Sequence, residues 1–203
     1  MNIYIYGDSN TWGYIPTLNA YCGDDNLTPR YEENKRWWYS LKDYIVDVNG
    51  INGRTVNNDH PTLEKRNAIE TFHDDVINEI VNLVIIMLGT NDLKDCYNLK
   101  VDDIVINLDK LAKMFIKQYK SKIMLICPPL IFNTIVTEEK YSNGIKKIKE
   151  LDSKLKEYCK KENYLFASAI SCEVGVDGEH LTEEGHKKLG EIVLTTLKSE
   201  HII

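Results

Sequence analysis

A serine at position 9, set between Asp8 and Asn10 just past Gly7, and an Asp177-Gly178-Glu179-His180 run near the far end of the chain supply a nucleophile, an acid and a base. A serine hydroxyl needs a neighbouring base before it is a useful nucleophile. The Asp-x-x-His spacing can bring a carboxylate to the imidazole. There it would accept from Nδ1–H and leave Nε2 to face a hydroxyl. Acyl transfer also needs donors for the developing oxyanion, each worth roughly 10²–10³ in rate. Gly53 offers a backbone N–H with no side chain in the way, Asn91 a side-chain N–H₂, and Ser9 its own N–H.

Taken singly, each of these residues has a plainer reading. Asp8-Ser9-Asn10 suits a turn or helix cap. Gly53 suits a turn, Asn91 a turn-stabilising amide and His180 a surface loop. His186 competes as the base but falls inside a predicted helix, while His60, His73 and His201 have no comparable acidic neighbour at a sheet edge.

The elements that must position these residues follow from hydropathy. Apolar runs predict strands at Asn2–Tyr6, Val46–Asn49, Leu83–Leu88, Ile123–Cys127 and Tyr164–Ala167. Helical spacing covers Trp37–Val46, Arg66–Ile80, Asp103–Tyr119, Lys140–Lys161 and Glu183–Lys198. Continuous apolar strands are covered on both faces, and their alternation with helices implies a parallel sheet. The fold class expected is α/β: a flavodoxin-like three-layer α/β/α sandwich with five parallel strands, forming a single domain over residues 1–203. Ligands in such sheets bind at the carboxyl ends of the strands. Ser9, Gly53 and Asn91 all follow strands, and the Asp177 run precedes the last helix, with Thr182 as its N-cap.

Four segments, in order, resemble the blocks of the SGNH (GDSL) hydrolases: Gly7-Asp8-Ser9, the glycine block at Gly53, Gly89-Thr90-Asn91-Asp92 and Asp177-x-x-His180. The resemblance covers nearly the whole chain. It implies Ser9 as nucleophile, His180 as base, Asp177 as its orienting acid and Gly53 and Asn91 as oxyanion donors, with no metal or cofactor. Gly7–Gly13, Arg36-Trp37, Gly53-Arg54-Thr55, Ile85–Lys94 and Pro128-Pro129 look like the arylesterase/acyltransferase subgroup. That subgroup acts on short acyl esters and includes oligomers, so a homo-oligomer is expected. It carries alanine where Gly53 stands. Asp8 and Asp92 read as local turn supports. Trp12, Tyr14, Trp37 and Trp38 lie near the motifs, and Trp12 and Tyr14 are the candidate substrate-binding residues; packing is the competing role for these aromatics. A narrow pocket would favour acetyl over longer chains.

Composition sets the remaining bounds. The chain has 203 residues, 43% hydrophobic and 28% charged, as in ordinary globular proteins. A net charge of -6 argues against a nucleic-acid binder, and Lys146, Lys147 and Lys149 read as a solvated helix face. No apolar run is long enough to span a membrane. The N-terminus reads as a core strand and not as a signal peptide. Cys22, Cys96, Cys127, Cys159 and Cys172 are odd in number and scattered, which suits a reducing cytoplasm. The function expected is a serine esterase acting on small esters such as aryl esters or acetylated sugars. A lysophospholipase or thioesterase of the same family and a non-catalytic binding module are the alternatives. A flavodoxin-like nucleotide binder would want a phosphate loop, and neither Gly-x-Gly-x-x-Gly nor Gly-x₄-Gly-Lys-Ser/Thr occurs.

Overall fold

The computed structural model describes residues 1–18 and 28–203, so Cys22 lies outside the described residues. Five strands, β1 (Asn2–Gly7), β2 (Ile45–Gly50), β3 (Leu83–Met87), β4 (Lys122–Cys127) and β5 (Leu165–Ser168), form one sheet in the order β2-β1-β3-β4-β5. All four pairings are parallel. The helices are α1 (Ser9–Trp12), α2 (Ala68–Asp75), α3 (Val101–Tyr119), α4 (Gly144–Glu162) and α5 (Glu183–Ser199).

Side chains alternate across a strand, and the alternation sorts the core into two halves. Tyr4, Tyr6, Val84, Ile86 and Leu125 point to one face, where they meet Phe72, Ile104, Phe115, Ile148 and Leu155 from α2, α3 and α4. Ile3, Ile5, Ile85, Met87, Met124 and Ile126 point to the other and meet Leu189, Val193 and Leu197 of α5. The three-layer α/β/α arrangement expected from the sequence is the one observed. Strand order reverses between β1 and β3, which makes their carboxyl ends the switch point where such sheets bind ligands.

Three predicted helices are shorter than their patterns. The Trp37–Val46 stretch is a 3₁₀ turn over Trp37–Leu41, because the chain must enter β2, where Ile45 pairs beside Asn2. Helix α2 starts one residue after its cap, with the Asn67 side chain accepting from Glu70 N–H, and ends at Asp75. Beyond it the Tyr119 hydroxyl holds both the N–H and the carbonyl of Ile77 (2.7 and 3.1 Å), which draws the chain out of the helix. Helix α4 begins at Gly144, because Asn143 takes a left-handed conformation (φ 57°) that breaks the run from Lys140.

Candidate active site

Strand β1 delivers Gly7 to the sheet edge, and the chain turns at once into α1. Asp8 is the cap: its Oδ1 accepts from Asn10 N–H at 3.0 Å. Ser9 is therefore the first residue of a short helix at the switch point. Burial pushes the Asp8 carboxyl up to about 6.

The Asp177–His180 run is folded onto this turn from several sides. Asp177 Oδ1 accepts from the N–H groups of Glu179 and His180 (3.2 and 3.1 Å). Asn10 clamps the same loop, donating to Glu179 O (3.1 Å) and accepting from Leu181 N–H (2.9 Å). From the far side, Phe132 N–H donates to Gly178 O and Thr134 Oγ1 donates to Asp177 O, both at 2.8 Å. Gly178 has φ +82°, and an added Cβ would lie 2.7 Å from Phe132 O, so the loop requires glycine there. The outcome is a continuous chain: Asp177 Oδ2 to His180 Nδ1 at 2.8 Å, and His180 Nε2 to Ser9 Oγ at 2.8 Å.

All three residues are buried. Burial alone would lower the His180 pKa, but the Asp177 hydrogen bond and the charges of Glu179, Asp177 and Asp8 outweigh it and leave it raised. Burial would raise the Asp177 carboxyl, yet its bond to His180, the imidazole's charge and two backbone N–H groups hold it below the usual value. Tyr14 stacks on the His180 ring, with centroids 4.2 Å apart and planes inclined by 25°. Such an array can take the serine proton onto Nε2 while Asp177 stabilises the imidazolium.

Two loops complete the site. The one after β2 carries Gly53 at φ +76°, a conformation that L side chains rarely adopt. A Cβ there would also sit 3.3 Å from both His60 and Leu63, which accounts for glycine where the resembling subgroup has alanine. Asn91, after β3, donates from Nδ2 to Arg54 O at 3.1 Å, which leaves its second N–H for another acceptor. Asp92 ties the two loops together, accepting from Val56 N–H with both oxygens (2.9 and 3.0 Å) and from Asn58 Nδ2 (3.0 Å). Burial pushes its carboxyl up to about 6.

The other aromatics and histidines singled out in the sequence have their own partners. The buried Trp12 ring packs under the Arg30 guanidinium, 4.5 Å from the centroid, and shares no ring contact or side-chain hydrogen bond with Ser9 or His180. Trp37 is in the core beside α5, and Trp38 donates to Thr11 O (3.1 Å). His186 is fully buried, with Nδ1 accepting from Trp37 N–H (3.4 Å), and burial drives its pKa down to about 3. The lysines of α4 keep to its outer side, where Lys147 pairs with Asp95 (2.8 Å).

Two participants are given no role by the motif reading. Arg54 is completely buried: it donates to Gly7 O (3.0 Å), Asn49 O (2.7 Å) and Asn49 Oδ1 (2.7 Å), lies 3.4 Å from Asp75 Oδ2, and covers the Tyr6 ring. Glu179 is buried beside His180 and accepts from Tyr141 OH (2.8 Å) and Lys140 Nζ (3.1 Å). Burial would raise its carboxyl, but His180, Lys140, Lys94 and the Tyr141 hydroxyl hold it low. No local spacing signals either role, since Asp75 is 21 residues from Arg54, and Lys140 is 39 from Glu179.

No curated protein matches the sequence significantly. Solved structures do match. The carbohydrate acetylesterase Est24 from Sinorhizobium meliloti is 25% identical, with TM-score 0.85 and coverage of 100% of this chain and 99% of that one. The aryl esterase of M. smegmatis is 26% identical, with TM-score 0.86 and the same coverage. A member of the lipolytic protein G-D-S-L family from Veillonella parvula, 16% identical over 97% of this chain and 98% of its own, shares the fold at TM-score 0.65. Among the described residues no helix is long and apolar enough to cross a membrane. Residues 5–188 match the model of the GDSL-like Lipase/Acylhydrolase family, and the chain belongs to that family.

Proposed function

We propose that this chain is a single-domain serine esterase that cleaves short acyl esters through an acyl-Ser9 intermediate. The observation that carries the reading is the unbroken hydrogen-bond chain from Asp177 through His180 to Ser9. Ser9 Oγ attacks the ester carbonyl as His180 Nε2 takes its proton. The oxyanion is held by the N–H groups of Ser9 and Gly53 and by the free N–H of Asn91. His180 returns the proton to the departing alcohol. Water then attacks the acyl carbonyl, His180 takes its proton and passes it to Ser9 Oγ, and the carboxylic acid leaves. An alcohol in place of water gives acyl transfer.

Short acyl groups, acetyl first, are the substrates this reading favours, since the buried Tyr14 ring is stacked on the base and bulk beside the reacting atoms works against a long chain. The likeness to Est24, a carbohydrate acetylesterase, and to the M. smegmatis aryl esterase points the same way. The resemblance to the arylesterase/acyltransferase subgroup extends the reading to a homo-oligomer, and the scattered cysteines to a cytoplasmic location. Trp12 remains a candidate pocket residue in this reading.

The test is a set of initial rates on p-nitrophenyl acetate, butyrate and octanoate, with Ser9→Ala as control. Turnover falling steeply from acetate to octanoate, and lost in the variant, is the expected result. Activity retained by pure Ser9→Ala would overturn the nucleophile assignment. A preference for octanoate would favour the lysophospholipase or thioesterase alternative.

A further inference from the structure

Three successive residues ahead of His180 are held by one loop. The stretch between β4 and α4 donates Phe132 N–H to Gly178 O and Thr134 Oγ1 to Asp177 O, both at 2.8 Å. Lys140 and Tyr141, near its end, reach the third residue. Lys140 Nζ pairs with Glu179 Oε1 at 3.1 Å, and Tyr141 OH donates to Glu179 Oε2 at 2.8 Å. Both oxygens of this buried carboxylate are therefore engaged. So is its backbone: the N–H donates to Asp177 Oδ1 (3.2 Å) and the carbonyl accepts from Asn10 Nδ2 (3.1 Å). With side chain and peptide of Glu179 both tied, the next residue, His180, is held where its Nε2 meets Ser9 Oγ at 2.8 Å.

The same loop is tied to the segment that carries Asn91. Asp95 opens a 3₁₀ turn, Asp95–Tyr97, shortly after Asn91. Its N–H donates to Lys140 O (2.8 Å), and its carboxylate accepts from Ser142 N–H (2.6 Å) and Ser142 Oγ (2.8 Å). Lys140 thus holds the oxyanion side of the site with its carbonyl and the His180 loop with its ammonium. Lys140 and Tyr141 make no other side-chain hydrogen bond or ion pair among the described residues. Packing of the buried Tyr141 ring needs no hydroxyl, and a phenol buried against a carboxylate is retained only where that bond is made.

We infer that Lys140 and Tyr141 are positioning residues of the reaction: through Glu179 they hold His180 in line with Ser9, and Lys140 balances the charge that Glu179 brings to the base. This inference rests on the esterase reading for the identity of the reaction. The charges around the imidazole give the sign of the effect. Asp177 and Glu179 from its own loop and Asp8 from the turn after β1 act on it, the Tyr14 ring stacks on it, and His186 of α5 is neutral. Lys140 pairs with Glu179, and the charge of Lys94 also acts on that carboxylate. Lys140→Met removes the paired cation, leaves more of the Glu179 charge to act on His180, and so raises the pKa of the base. The Lys140 side chain is 42% exposed, and water screens its charge, so the shift is about half a pH unit.

Rates on p-nitrophenyl acetate across the acid limb test both residues, with the Ser9→Ala rate subtracted and active sites counted by fluorophosphonate labelling. Lys140→Met should move the acid limb of kcat/KM to higher pH, and Lys140→Arg, which keeps the charge, should return it. In a Glu179→Gln background Lys140→Met should leave the limb where Glu179→Gln puts it, because the effect passes through that carboxylate. Tyr141→Phe keeps the ring and should lower kcat about tenfold, the size of one hydrogen bond to a charged group, with KM changed by less than about twofold. A limb that Lys140→Met leaves in place, or moves as far when Glu179 is Gln, overturns the role of Lys140. An unchanged kcat in Tyr141→Phe overturns that of Tyr141. If no ester shows Ser9-dependent turnover, the esterase reading fails instead, and the titration of the His180 ring, followed by NMR, decides. A pKa raised in Lys140→Met supports the coupling through Glu179, and an unchanged one rejects it.

Discussion

His180 stands among more negative charge than a Ser-His-Asp array needs. Besides Asp177 it feels Glu179 and Asp8, while Lys140 pairs with Glu179 and the charge of Lys94 also acts on that carboxylate. A base works only when unprotonated, so its raised pKa places the acid limb of the rate profile above that of an ordinary histidine. Glu179→Gln keeps an acceptor for Tyr141 and removes the charge. The acid limb of kcat/KM for p-nitrophenyl acetate is therefore expected to move to lower pH, with the plateau rate little changed. An unmoved limb would mean that Lys140 already cancels the Glu179 charge at His180. Ser9, Asp177 and His180 were legible in the sequence because their chemistry is written in adjacent residue types. Glu179 sat in the same tetrapeptide and went unread, since what makes it significant is burial against residues 38 and 39 positions away.

The elements show a similar division. Strands β1 and β3 were legible because nearly every position is apolar, as a strand covered on both faces must be. The ends of α2 and of the Trp37 turn were not, because a tyrosine hydroxyl from α3 and the pairing of an edge strand decide them. The loop after β2 belongs with this second group. Its shape depends on Arg54, which gathers the ends of β1 and β2 and the last turn of α2 around one guanidinium. Arg54→Met would remove the guanidinium from those carbonyls and take from Asp75 its cationic partner, leaving it the hydroxyls of Tyr6 and Thr71. The expected cost is about 3 kcal/mol of unfolding free energy, read by urea denaturation. Activity should fall further than stability alone explains, because Asn91 bonds to the carbonyl of the same residue.

Across the whole molecule, the two core halves and the three layers were legible from the alternation of residue types, but the charge state of the interior was not. His186, held neutral within α5, makes the fold acid-sensitive. Its folded pKa of about 3 lies below the unfolded value of about 6.5, so its contribution is complete above that pH and drains away as pH falls toward 3. His186→Phe loses the acceptor for Trp37 N–H at every pH but has no proton to refuse. Its deficit in unfolding free energy is therefore expected to narrow between pH 7 and pH 5. Asp8 and Asp92, raised to about 6, favour the folded state on acidification, but they are present in both proteins and cancel from the comparison. A gap independent of pH would show that His186 is not buried neutral. Finally, Ser9 bonds to a histidine 171 residues further along. In the esterase reading the nucleophile therefore lacks its base until the stretch between residues 9 and 180 has folded and brought the two together. Hydrolysis by this protein would then report that this stretch has closed on itself, and a form in which residues 9 and 180 stay apart would be silent.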